Sequence, residues 1–189
     1  MVLLSVSGTV FSAAAQQSPE TPAKPNFSGR WRMVKDKSDF ATFKMPDIIV
    51  RVVEHRDPTL NVHTVQTTGT KTSIADVSYT TDGSESSNVI NGRPAVSKTF
   101  WDGAALMIRT QMKDSKGEDE VIEDRWEITD DQQILTVSSH ITTPRGQVDL
   151  KLVCERRRWV AKIGSFSNRQ GPISRPNNRT SHAHSPPEA

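Results

Sequence analysis

Five histidines, a carboxylate-rich stretch and a single cysteine are the residues here whose types could do chemistry. His55 and His63 flank a turn, and His140 closes a later apolar/polar run. Imidazole is a common metal ligand, so these three could in principle meet at an ion. No His-x-His or HExxH spacing occurs among them, and the plainer reading is turn-flanking, solvated histidines, so no metal site is assigned. His182 and His184 do form His-Ala-His, but in a Pro- and Ser-rich tail. Glu118-Asp119-Glu120 and Glu123-Asp124 gather carboxylates that could act as general acid and base. They fall in and beside a hairpin loop, where solvated charge is the ordinary outcome. No Ser-x-x-Lys, Gly-x-Ser-x-Gly or glycine-rich phosphate loop is present, so no nucleophile has a partner. The chain reads as non-enzymatic, with no catalytic residue and no cofactor assigned. Cys154 shares the apolar face of a strand and reads as a buried structural thiol.

The elements that must position these groups announce themselves by rhythm. From Gly29 to Glu155, short alternating runs are separated by Asp57-Pro58, Asp82-Gly83, Asn91-Gly92, Asp102-Gly103, Lys116-Gly117, Asp130-Asp131 and Pro144-Arg145-Gly146. Asn-Gly and Asp-Gly supply the positive φ of tight hairpin turns. Ten strands are predicted: Gly29–Lys35, Ile48–Glu54, Leu60–Thr67, Ser73–Thr80, Ser84–Ile90, Ala95–Trp101, Ala104–Gln111, Val121–Ile128, Gln133–Ile141 and Gln147–Glu155. One helical turn capped by Ser38 is expected before Pro46. A hairpin-linked meander of this length usually closes on itself. The fold class is therefore all-β, a single antiparallel up-and-down barrel of about eight to ten strands. Alternation puts Ala104, Leu106 and Ile108 on one face, with Arg109 and Gln111 opposite. It groups Ile122, Asp124, Trp126 and Ile128, and separately Val148, Leu150, Leu152 and Cys154. The fourth and fifth strands are polar on both faces. They are either a solvated sheet edge or the wall of a partly polar lumen.

Composition sets the limits. The 189 residues are 34% hydrophobic and 24% charged, with a net charge of +2. Residues 156–189 hold seven Lys/Arg against one acid, so the tail carries +6 and residues 1–155 carry −4. The basic pI belongs to the tail, and the domain itself offers no nucleic-acid surface. A single cysteine excludes an intrachain disulfide, so the core alone must hold the fold. Residues 1–17 carry a short apolar run ending in Ala13-Ala14-Ala15, compatible with the back half of an export signal that lacks its basic n-region. The run is too short to span a bilayer. Residues 18–25 read as a Pro-rich linker, 26–158 as the barrel and 159–189 as a disordered basic tail. An exported protein, periplasmic or extracellular, is the expectation.

The first strand opens Asn26-Phe27-Ser28-Gly29-Arg30-Trp31. A Phe-x-Gly-x-Trp start to an antiparallel barrel resembles the calycins, above all their lipocalin-like and fatty-acid-binding-protein-like members. Gly29 would let the strand bend, and Trp31 would plug one end of the barrel. The resemblance implies a basic residue late in the chain packed over that Trp, here Arg156 or Arg157. With ten strands, the chain looks like a small exported bacterial lipocalin-like domain, a family of unestablished function. Two features depart from the pattern. The two-helix lid has no room between the first strands, and the Arg-x-Tyr pair that grips carboxylates in many fatty-acid-binding proteins is missing. The resulting expectation is a small, moderately hydrophobic ligand in a barrel cavity walled by Trp31, Trp126, Leu106 and Ile108. Arg125 joins them as a polar group that a one-residue bulge would turn inward. The alternative is a barrel filled by its own side chains that serves as a protein-interaction module.

Overall fold

The computed structural model describes residues 24–158. The expected export signal, the basic tail after Arg158 and most of the Pro-rich linker lie outside the described residues. The ten strands are β1 (Gly29–Met33), β2 (Ile48–Arg56), β3 (Thr59–Thr68), β4 (Lys71–Thr80) and β5 (Glu85–Ile90), then β6 (Arg93–Asp102), β7 (Ala105–Lys113), β8 (Asp119–Ile128), β9 (Ile134–Thr143) and β10 (Gly146–Arg157). They form one antiparallel sheet in the order β4-β3-β2-β1-β10-β9-β8-β7-β6-β5. The chain's first and last strands pair, with Trp31 opposite Arg156 and Met33 opposite Cys154. The sheet thereby curls into a nearly closed barrel.

Each predicted turn falls between two strands. Asn91 and Gly92 both take positive φ, 50° and 76°, as a two-residue hairpin loop needs. The turn at Gly69-Thr70 joins the third and fourth expected strands without an Asn-Gly or Asp-Gly signal. Its turn chemistry is a single glycine (φ 62°) whose N–H donates to the Asp47 carboxylate at 2.6 Å, a partner distant in sequence.

The helical turn is displaced from its expected place. A 3-10 turn covers Lys35–Lys37, and Ser38 ends it instead of starting one. The Ser38 hydroxyl is committed to the neighbouring strand: it accepts from the Val153 N–H at 3.0 Å and donates to the Val34 carbonyl at 2.9 Å. Asp39 and Lys151 then exchange two backbone hydrogen bonds of 2.7 Å. Pairing with β10 outcompetes the helical start.

The seam between β4 and β5 is closed by side chains. Asn88 presents its amide like a strand backbone: Nδ2 donates to the Ser78 carbonyl at 2.9 Å, and Oδ1 accepts from the Ser78 N–H at 2.8 Å. Ser86 Oγ accepts from the Thr80 N–H at 3.1 Å. The two strands read as polar on both faces are thus the two sheet edges, and part of their polarity joins them. Among the described residues no helix is long and apolar enough to cross a membrane.

Candidate functional site

One end of the barrel is plugged. Trp31 is fully buried, and its indole N–H donates to the Phe27 carbonyl at 2.9 Å. Arg156 lies over the Trp31 ring at 4.3 Å, which settles the choice between it and Arg157. Its Nε donates to the Gln132 carbonyl at 2.6 Å and its Nη1 to the Ser28 carbonyl. Gly29 makes room for it, since a Cβ there would stand 2.5 Å from Arg156 Nη1. Phe27 extends the plug against Trp101 at 6.0 Å and edge-on to Trp126 at 5.9 Å.

His55 belongs to this plug and is 4% exposed, contrary to the solvated role expected of it. Alternation along β2 turns it inward with Ile49 and Val53. Its Nδ1 accepts from the Phe27 N–H at 3.3 Å, which places the ring proton on Nε2, 3.8 Å from Asp57 Oδ1. Burial pushes the His55 pKa below its ordinary value, and Asp57 opposes that shift only in part. Asp57 is itself held below the usual carboxylate range, chiefly by the Thr81 hydroxyl. His63 and His140 face outward on β3 and β9, bonded to Asp76 at 2.6 Å and Asp149 at 2.7 Å. The fold keeps the three histidines apart.

Above the plug, charged and polar groups face inward at mid-barrel. Alternation had placed Asp124 beside Ile122 and Trp126, and it does face the lumen. Burial pushes its pKa up, while the Ser139 hydroxyl donated to Oδ1 and the Arg51 charge pull it down. Tyr79 is pushed up to about 12 by burial, with Asp124 adding to the rise and Arg51 opposing it. Cys154 is buried, its thiol raised to about 11 by desolvation, as suits a structural cysteine. Arg51 lies over the Trp126 ring at 5.3 Å. Sequence reasoning passed over Arg51, although the alternation that groups Ile49 with Val53 includes it. The signal was present, but nothing in a linear pattern says which strands face each other across a closed sheet.

Toward the other end the lining loosens. Inward-facing Ile122, Ile141, Val148 and Leu150 are only half-buried, whereas Leu60, Leu106, Ile108 and Leu135 are buried in the core with Trp31 and Trp126. At that mouth a cavity of about 460 Å³ opens among Phe43, Arg93, Glu120, Ile141 and Val148. Of the residues expected to wall a pocket, Trp31, Trp126, Leu106 and Ile108 are all interior. Arg125 is not. No bulge shifts the register of β8, so Arg125 stays on the outer face, bonded to Asp102 at 2.6 Å and Glu127 at 3.1 Å. There it borders a surface groove of about 600 Å³ with Met107, His140 and Lys151.

No family model matches the sequence, and no curated protein does. Solved structures do resemble it. A secretory abundant heat soluble protein of Ramazzottius varieornatus superimposes with a TM-score of 0.51 at 15% identity, covering 73% of this chain and 99% of that one. The fold is that of a calycin-like β-barrel. Secretory abundant heat soluble protein 4 of the same organism gives 0.49 at 15% identity, covering 72% and 98%. Zebrafish ileal bile acid-binding protein, solved with cholic acid, gives 0.47 at 13% identity, covering 69% and 98%. At such identities the likeness to this calycin-like barrel concerns fold alone.

Proposed function

We propose that this barrel is a non-enzymatic binding protein that holds a small, moderately hydrophobic ligand in its lumen. The observation that carries the reading is the gradient of packing along the inward face. The lining is close-packed around Trp31 and Trp126, then apolar yet still accessible at Ile122, Ile141, Val148 and Leu150. An apolar concavity with a few convergent polar groups is the usual form of a small-molecule site. Closure through β1 and β10 with a plug at one end leaves the mouth beside Phe43 as the way in. The apolar run within residues 1–17 supports placing this activity outside the cytoplasm.

The test is titration of the purified full chain with 1-anilinonaphthalene-8-sulfonate, read by probe and tryptophan fluorescence and by native mass spectrometry. Saturable binding of one probe per chain is expected. A flat titration across a panel of apolar probes, with an unchanged mass, would refute the reading.

A further inference from the structure

The outer face of the seam that closes the barrel carries a charge pattern that folding alone does not call for. Arg30 of β1 stands directly opposite Arg157 of β10, and Arg32 follows two residues along, opposite Glu155. Alternation turns all three arginines outward, since Trp31 and the Arg156 stacked on it face in. Arg56 ends the outward row of β2, and Arg158 follows the end of β10. All five are exposed. Among the described residues Arg157 pairs with Glu155 at 3.5 Å, and the other four have no ion pair. Against them, on the outward positions of this half of the three strands, stand Glu54 and Glu155. Over residues 24–158 Lys/Arg and Asp/Glu balance, so positive charge is concentrated here.

Like charges directly opposite on an antiparallel pair are destabilising. Natural sequences break local rules of this kind at functional sites. All five residues are arginine, whose planar fork grips an oxyanion with two parallel hydrogen bonds. The surroundings select the class of anion. β1 is paired on both sides, to β2 and β10, so a peptide backbone finds no free strand edge there. The outward positions of β1, β2 and β10 hold no aromatic residue, so nucleobases have nothing to stack on. Of the exposed large apolar side chains only Ile48 lies on these strands, beyond Val50 toward the mouth, so a bilayer finds no apolar cluster to take up. What remains is recognition of charge by side chains along a convex face. Arg30 and Arg32 lie about 6.8 Å apart along β1, and Arg157 about 5 Å from Arg30 across the ladder, distances that successive charged groups of a linear polymer can follow.

We propose that this face docks a linear sulfated polysaccharide, its sulfates seated on Arg30, Arg157 and Arg32 and its chain continuing toward Arg56 and Arg158. The bound polyanion relieves the repulsion between Arg30 and Arg157. The charge pair that costs stability in the free protein thereby becomes the docking site, whatever the lumen holds.

The experiment titrates the full chain with heparin by calorimetry, at low and at physiological salt. Saturable binding that weakens with salt is expected. Arg30→Gln/Arg32→Gln/Arg157→Gln should weaken it about ten- to a hundredfold, three lost contacts at the modest worth of exposed pairs. Lys37→Gln/Lys44→Gln/Lys71→Gln removes the same charge from exposed positions at the mouth end and should cost less than about threefold. Every variant keeps the basic residues after Arg158, so equal losses in the two triple variants would assign binding to net charge and overturn the proposal. No binding by the wild-type chain would overturn it too. Phosphatidylglycerol vesicles bound as tightly, with the same dependence on the three arginines, would overturn the choice of polysaccharide. The urea midpoint of the arginine variant should hold or rise, because a repulsive pair is removed. A lower midpoint would make these arginines structural and sink the docking site. If that variant does not fold by circular dichroism, Arg32→Gln alone decides the matter, with an expected loss of about two- to fivefold.

Discussion

Replacing Arg156 by methionine probes the plug most sharply, because a single side chain ties three segments together there. Its guanidinium donates to the Gln132 carbonyl at 2.6 Å and to the Ser28 carbonyl, and covers the Trp31 ring at 4.3 Å. Hydrogen bonds to a charged group contribute about 1.5–3 kcal/mol each, and this partly exposed side chain belongs at the low end. The stacked cation adds about 0.5–1 kcal/mol. Methionine restores some contact with the ring, which leaves a net loss of about 3 kcal/mol. With a urea slope of about 1.5–2 kcal/mol per M, the unfolding midpoint should fall by about 1.5–2 M. The assay is urea denaturation followed by tryptophan fluorescence, and Trp31 emission should shift red in the native baseline. Arg157→Met is the control: its side chain faces out and reaches only Glu155 at 3.5 Å, so its midpoint should move by less than about 0.3 M. If the two variants lose the same stability, the structural reasoning about this end of the barrel is wrong.

Three further outcomes are expected. The lowered His55 pKa means the unfolded chain binds the extra proton first, so stability should decline as pH falls from about 6.5 toward the folded-state value. His55→Gln should flatten that slope in urea titrations between pH 7.5 and 5, and an unchanged slope would assign it to other groups. Asn88→Ala removes both bonds across the β4–β5 seam and should cost about 1–3 kcal/mol. Hydrogen exchange at the Ser78 amide should accelerate accordingly, and unchanged protection would show that the seam is held by something else. Arg125→Ala changes only the outer face, so the affinity for 1-anilinonaphthalene-8-sulfonate should stay within about twofold of wild type, consistent with the small worth of exposed ion pairs. A large loss would return Arg125 to the lumen.

Much of the fold was legible because period-two alternation and turn chemistry are both local. Asp82-Gly83, Asn91-Gly92 and Asp102-Gly103 mark hairpins without reference to anything distant, and alternation correctly placed Trp126, Asp124, Leu106 and Ile108 on one interior face. What failed was non-local. Ser38 reads as a helix cap until the edge of β10 offers its hydroxyl a better use. His55 reads as a turn residue until Phe27, 28 residues earlier, supplies an N–H to its ring. Arg51 has no meaning as an isolated inward arginine. It gains one only when β2 is wrapped to bring it over Trp126 of β8, a meeting set by barrel closure. Arg125 is the converse case: placing it inward required a bulge, and the continuous β7–β8–β9 register contains none.

The most direct measurement is a crystal structure of the full chain grown with 1-anilinonaphthalene-8-sulfonate. The account predicts density for the probe inside the barrel, between Ile122 and Leu150. A lumen filled by the protein's own side chains, with the probe absent or lying on the outer face, would contradict it.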